Sequence, residues 1–262
     1  MTLPFSVLAT ALLVGGCSSD DASGPSSSSS PSAASNSTAP SASPGPGAST
    51  APAPRAAGCP AAGAGEPGAV PVGARSRSTL DVDGDGRPDT VYIDDETADG
   101  GGVVFGIQTA SGANFSASFV SASPQPRSVL VADVTGRGEL VVLASDGRQV
   151  PLFAISNCAI VPVTNAQGQQ YTFDLGFTGY GTGVGCSDVD GDGVRDLVGL
   201  LVQTDPTGNP TAVQRTKVEL DGPRASNGPT STVPPDAAAV ASARMVSCGD
   251  LTVADDAVSV GG

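Results

Sequence analysis

An acidic loop followed at once by an apolar run occurs twice in this sequence and constrains its fold more than any other feature. The first copy reads DVDGDGRPDTVYI at 81–93, and the second reads DVDGDGVRDLVGL at 188–200. Each copy places four aspartates within nine residues, and charges this close repel one another unless a cation joins them. Glycines between the aspartates permit a tight turn that points the carboxylates inward. The repetition predicts two cation-binding turns, each leading into a β-strand.

Weaker versions of the same loop occur between and after the two complete copies. One reads DVTGRGELVVL from Asp133, and only the letters GDLT remain around Asp250. The four loops follow one another at intervals of roughly 50–60 residues, and repeats of about this length with several strands each are typical of propeller blades. The chain is therefore expected to contain four related units.

Short runs rich in Val, Phe and Tyr, bounded by Gly, Pro, Asn and Asp, predict that these units are built from strands. The helix-like run at 236–243 is too short to change this interpretation. The predicted strands are 89–93, 102–108, 114–120, 128–132, 139–144, 151–157, 170–175, 196–203, 212–220 and 243–248.

The run DVDGDGRPDTVYI resembles the FG-GAP or VCBS-type repeat, which occurs in integrin α-chain propellers and in many bacterial surface proteins. That repeat carries a D-x-D-x-D-G-x-x-D calcium loop between two strands of a blade, and both 81–89 and 188–196 match it completely. The resemblance covers about residues 70–262 and implies an all-β, propeller-like domain of about four blades. Such a domain would be small or incomplete beside the seven-bladed ring usual in the family.

The spacing of the aspartates suits calcium, which takes six to eight oxygen ligands in a flexible shell. Loop positions 1, 3, 5 and 9 would supply carboxylates, and position 7 would supply a backbone carbonyl. We therefore expect two calcium ions. The predicted ligands are Asp81, Asp83, Asp85, the carbonyl of Arg87 and Asp89 in the first loop, and Asp188, Asp190, Asp192, the carbonyl of Val194 and Asp196 in the second.

Other interpretations of these loops agree less well with their residues. An EF-hand requires a glutamate at position 12, where the two loops carry Tyr92 and Gly199. A dockerin would hold its two loops much closer together in sequence. A phosphate-binding loop needs backbone N–H groups and a lysine, and an all-oxygen ligand set disfavours zinc or copper. An ordinary acidic turn stays open as an alternative, since Asp-Gly pairs are frequent in turns.

The loop at Asp133 is predicted to hold no metal. It is two residues shorter than the complete copies, and Arg137 stands where the third aspartate belongs. The positive charge of Arg137 would oppose a cation there. A side-chain contact between Arg137 and Asp133 is the expected substitute.

Composition narrows the classes of function. The net charge of −14 disfavours nucleic acid, because phosphate binding requires Lys and Arg. The chain contains no His, which removes the most common general base and the Ser-His and Cys-His nucleophile pairs. Aromatic residues make up 4% of the chain, so stacking platforms for sugars are scarce. We therefore expect a protein that is not an enzyme.

The N-terminal segment resembles a bacterial lipoprotein signal. Residues 1–16 are mostly apolar and too short to cross a bilayer, and LVGGC ends at Cys17 as a lipobox does. The resemblance implies cleavage before Cys17, lipidation of that residue and exposure at the outer face of the cell membrane. Residues 17–58 are almost entirely Ser, Ala, Pro, Gly and Thr, which predicts a disordered tether. The β-domain is expected at 59–262.

Four further cysteines predict two disulfides in an exported chain. We expect Cys158 to pair with Cys186 within one unit, and Cys59 to pair with Cys248 across the two ends of the domain. A bond between Cys186 and Cys248 remains an alternative, because both precede their loop aspartates by two residues.

Together these features favour a lipid-anchored, calcium-binding scaffold that is monomeric and presents loops to a protein or glycan partner. The alternative is a secreted hydrolase that cleaves polysaccharide with two carboxylates. Its acids would come from outside the loops, where the only glutamates are Glu66, Glu96, Glu139 and Glu219.

Overall fold

The computed structural model describes residues 58–59, 70–98, 102–176 and 181–261, with no side chains described for 95–98. The predicted signal peptide, Cys17 and the tether up to residue 57 lie outside these residues, as does Glu66. Regular structure is almost entirely strand, which confirms the all-β prediction. The elements are β1 (Arg75–Ser78), β2 (Thr90–Ala98), β3 (Gly102–Gln108), β4 (Asn114–Val120), β5 (Arg127–Asp133), β6 (Leu140–Ser145), β7 (Gln149–Ser156), β8 (Ala159–Pro162), β9 (Thr172–Asp174), β10 (Thr182–Ser187), β11 (Asp196–Thr204), β12 (Pro210–Asp221), β13 (Arg224–Val233), α1 (Ala237–Ser242), β14 (Ser247–Cys248), β15 (Leu251–Thr252), α2 (Val253–Asp256) and β16 (Val258–Val260).

The strands form three antiparallel sheets and one short hairpin, none of which closes on itself. The first sheet has the order β1-β2-β3-β4 and the third has the order β10-β11-β12-β13. The second has the order β16-β5-β6-β7-β8, with β9 also paired to β7, and β14 and β15 form the hairpin. Within the part of the chain that the structure describes, no helix is long and apolar enough to cross a membrane.

The second sheet is buried on both faces. Leu130 and Leu143 pack in one cluster with third-sheet residues such as Leu197. Their neighbours on the opposite face, such as Val129, pack in another cluster with Phe105 of the first sheet. Strands covered on both sides are expected to be continuously apolar, which explains the unbroken runs at 128–132 and 139–144.

The disulfides join Cys59 to Cys158 and Cys186 to Cys248, so the predicted pairing is wrong. Strands β10 and β14 come from adjacent units and lie side by side, with Val184 and Val246 in a parallel bridge. Equivalent positions of the two units therefore meet, and the Cα atoms of Cys186 and Cys248 are 4.4 Å apart. The C-terminal strand β16 is held by pairing with β5, so this end of the domain needs no bond to Cys59.

Candidate metal centres

All four predicted repeat loops occupy the same structural position. Each connects two consecutive antiparallel strands: β1 to β2, β5 to β6, β10 to β11 and β14 to β15. In the last unit the loop is reduced to the turn at Gly249 and Asp250. Each of the four loops therefore lies at the turn between two paired strands, although the lengths of these strands differ.

One local turn is common to the loops at 81, 133 and 188. The Asp81 carboxylate accepts hydrogen bonds from the backbone N–H groups of Gly84 (2.7 Å) and Gly86 (2.9 Å), and both glycines have positive φ. Glycine adopts this conformation without steric cost. The pattern Asp-x-x-Gly-x-Gly therefore folds the same turn even in the loop that lacks most of the predicted metal ligands. Equivalent bonds run from Gly136 and Gly138 to Asp133, and from Gly191 and Gly193 to Asp188.

The first loop brings together the carboxylates of Asp81, Asp83 and Asp89. One oxygen from each lies within 4.8 Å of the others. Calcium–oxygen distances of 2.3–2.6 Å allow ligand oxygens around one ion to be at most about 5 Å apart. The three oxygens are therefore close enough to share one cation. We name this set the first triad.

Asp89 is the most buried member of the first triad, with 2% of its surface exposed. Its two carboxylate oxygens accept hydrogen bonds from the N–H groups of Val82 (2.7 Å) and Ala110 (2.8 Å). Burial raises the pKa of Asp89, and the nearby charges of Asp83 and Asp81 raise it further, although the two hydrogen bonds oppose the shift. A bound cation would remove this electrostatic cost, because it favours the ionised carboxylates.

Asp83 links the first triad to the segment at 58–59. Its Oδ2 atom accepts hydrogen bonds from the Cys59 N–H (2.9 Å) and the Ser111 hydroxyl (2.6 Å). The Gly58 N–H also donates to the Asp83 carbonyl. Burial would raise the pKa of Asp83, but the hydrogen bonds from Ser111, Cys59 and Asp85 outweigh it and lower the pKa below its usual value. The first loop thus contacts the last residue of the predicted tether and the residue that follows it.

The second loop brings together Asp188, Asp190 and Asp196, again with one oxygen from each within 4.8 Å of the others. We name this set the second triad. Here a protein cation is present: Lys217 Nζ lies 2.6 Å from Asp190 Oδ2 and 2.7 Å from Asp196 Oδ1. The hydrogen bonds to Asp190 and then Asp196 raise the pKa of Lys217 well above its usual value. The second triad is more exposed than the first, and Lys217 already neutralises part of its charge.

Two of the predicted carboxylate ligands lie outside the triads. Asp85 faces Arg87, whose guanidinium lies 2.9 Å from Asp85 Oδ2 and also donates to the Ala110 carbonyl. Asp192 accepts a hydrogen bond from the N–H of Val194. Carbonyl coordination by Arg87 and Val194 remains a prediction.

The incomplete loop at 133 is stabilised by hydrogen bonds from its own backbone N–H groups and by an arginine from the loop at 188–196. The Asp133 carboxylate accepts a third backbone hydrogen bond from Glu139 N–H (3.2 Å). The guanidinium that contacts this loop belongs to Arg195, which donates to the Asp133 carbonyl at 2.9 Å. Arg195 also packs closely against Gly249 of the hairpin, where a Cβ atom would lie 2.0 Å from its Nη1. Arg195 therefore joins three of the four repeat loops.

Residues that sequence reasoning missed are Ser111, Lys217 and Arg195. The sequence could have indicated Lys217, because it is the only lysine in a chain with a net charge of −14. Nothing in the sequence distinguishes Ser111 from the other serines, and Arg195 lies within the loop without matching a ligand position.

Comparisons of the chain with protein-family models, with curated proteins and with solved structures find no match. The interpretation of the two loops therefore depends on their own residues and geometry.

Proposed function

We propose that this protein is a non-enzymatic, calcium-binding lipoprotein of the bacterial cell surface, whose FG-GAP-type domain is a scaffold for binding a protein or glycan. The first triad is the observation that supports this most directly. It places three carboxylates within the span of one ion, and Asp89 is buried there without a protein cation among the contacts described for it.

Calcium is the ion that this ligand set favours. All the side-chain ligands are carboxylates, which suit hard cations, whereas zinc and copper prefer nitrogen and sulfur. Magnesium requires a near-ideal octahedral shell, and a loop that supplies carboxylates and a carbonyl from one short turn suits the more tolerant calcium shell.

The repeated loop position supports a propeller-like arrangement of the units. Three sheets with a loop between consecutive strands, followed by a reduced fourth unit, are consistent with three blades and a remnant of a fourth. Anchoring through Cys17 and the tether at 17–58 would hold such a domain outside the membrane. The pair of disulfides suits an exported protein.

A calcium titration of thermal stability tests this function. Calcium at about 100 times its Kd should stabilise the folded chain by about 2.7 kcal/mol relative to chelator, which raises the Tm of a domain of this size by about 5–10 °C. D83N should abolish most of the shift, whereas D205N, in the turn after β11 and outside both triads, should keep it. No shift in the wild-type protein, with no calcium in elemental analysis, would refute the assignment.

One observation favours the alternative of a carboxylate-dependent hydrolase. Glu139 and Glu219 line the same surface depression as Asp196 and Lys217. Burial raises the pKa of Glu139, and the negative charges of Asp133 and Asp196 raise it further. A raised pKa is a property that suits a general acid. A screen against cell-wall and plant polysaccharides tests this function. Turnover that is lost in a folded E139Q variant would establish it and overturn the scaffold proposal.

A further inference from the structure

Lys217 contacts two of the three members of the second triad from a neighbouring strand. Its Nζ atom lies 2.6 Å from an oxygen of Asp190 and 2.7 Å from an oxygen of Asp196. A calcium ion bound to the same two oxygens would be about 2.3–2.6 Å from each. The ammonium therefore contacts two oxygens that a bound ion would also use, and charge repulsion opposes the presence of both cations at this pair.

Strand register explains why only the third sheet has this contact. Lys217 pairs with Val198, two residues after Asp196. The equivalent position in the first sheet pairs with Val91, two residues after Asp89, and is occupied by Ile107. Ile107 is fully buried and brings no charge to the first triad.

We propose that the Lys217 ammonium is a built-in counter-ion of the second triad, so that the loop at 188–196 binds calcium only in competition with it. The first triad binds calcium without such a competitor. This inference rests on the proposed calcium-binding function. It predicts one tight calcium site and one weaker site, whereas the two loop sequences predict two equivalent sites.

The competition gives the two loops different roles. The loop at 188–196 stays partly neutralised and ordered at low calcium, because Lys217 is always available. The loop at 81–89, which holds residues 58–59, depends on the ion. The domain therefore responds to calcium mainly at its first sheet, next to the end of the tether.

Calorimetric titration of the full chain with calcium chloride tests the inference through the K217M variant, which keeps the length of the side chain and removes its charge. The wild-type protein should bind one ion tightly and a second at least about tenfold more weakly, since ligand charge sets the affinity of such loops. K217M should bind two ions with similar affinity. K217R keeps the charge and should behave like the wild type, and D190N added to K217M should remove the gained site.

The two hypotheses fail in different ways. A second site unchanged in K217M, or two equal sites already in the wild type, would overturn the role of Lys217 while leaving calcium binding intact. A wild-type protein that binds no calcium would refute the proposed function, whatever K217M does.

The wild-type protein provides a second measurement if K217M does not fold. Lys217 is the only lysine, so acylation followed by peptide mapping reports on this one side chain. Calcium at millimolar concentration should displace the amine and increase its labelling, and labelling that is unaffected by calcium would contradict the competition.

Discussion

The two acidic loops are nearly identical in sequence, and yet the protein surrounds them differently. At the first loop, Asp83 and Asp89 are held by backbone N–H groups and by Ser111. At the second, Lys217 supplies a positive charge to Asp190 and Asp196. The same motif can therefore be surrounded by hydrogen-bond donors or contacted by a protein cation, depending on one residue of an adjacent strand.

The two loops also stabilise different parts of the molecule. The first loop contacts the segment at 58–59, and Cys59 is bonded to Cys158 in the turn after β7. The second contacts the loop at 133 through Arg195 and lies near the bond between Cys186 and Cys248. Loss of bound calcium should therefore loosen the contact between residues 58–59 and the first loop before it affects the contacts between the second and third sheets.

Removal of the disulfides should have the largest effects on stability, and the two disulfides should differ in their effect on calcium binding. Replacing both members of either pair with serine is expected to cost about 4 kcal/mol, since each bond closes a long segment of chain. Only C59S/C158S should also weaken calcium binding at the first triad, because it releases the segment that contacts Asp83. Urea unfolding measures the first effect and calorimetry the second. Equal calcium affinities in the two double variants would contradict this difference between the loops.

Truncation of the last aspartate of each loop should reveal the difference in burial. In chelator, D89A should lose about 3 kcal/mol of stability, because two backbone N–H groups lose their acceptors in a buried site. D196A should lose about 1 kcal/mol, because its site is more exposed and Asp190 still pairs with Lys217. Urea unfolding of both variants checks the order. A D196A variant that is as unstable as D89A would show that the second loop is not the more tolerant one.

Loss of the Ser111 hydroxyl should have a smaller effect that is confined to the first loop. This hydroxyl donates to Asp83 and lies 3.0 Å from the Cys59 carbonyl, and its removal should cost about 1 kcal/mol. Calcium should remain bound in S111A but with lower affinity. S118A is the matched control on an exposed part of β4. If S118A and S111A have the same stability and calcium affinity, Ser111 does not support the triad.

The smallest effect is expected in the turn after β11, which lies outside both triads and serves as a reference for them. Hydrogen bonds from Thr207 and then Asn209 lower the pKa of Asp205 from 3.8 to about 2. A depressed pKa stabilises the fold above the unfolded value, and this contribution is lost as the pH falls from about 4 to 2. The Tm difference between the wild type and D205N should therefore shrink over this range. A difference that stays constant with pH would show that Asp205 adds no charge-dependent stability.

Much of the fold could be predicted from the sequence, because many of its strands are short apolar runs that are easily recognised. The predictions at 102–108 and 114–120 match β3 and β4. The strand β13 was missed because it is largely exposed and consists mainly of small and polar residues. At 243–248, only the last two residues form a strand, since the apolar residues before them pack beside α1 and β10 instead of pairing in a ladder.

The turn of each acidic loop follows from the local sequence, because the hydrogen bonds that form it span at most five or six residues and depend on glycines at fixed positions. The all-β class also follows from the sequence, through runs that suit strands better than helices. The pairing of the cysteines and the partners of each triad depend instead on how distant segments pack. Ser111, Lys217 and Cys59 reach their aspartates through the pairing and packing of the strands, and such contacts between distant segments leave no local pattern in the chain.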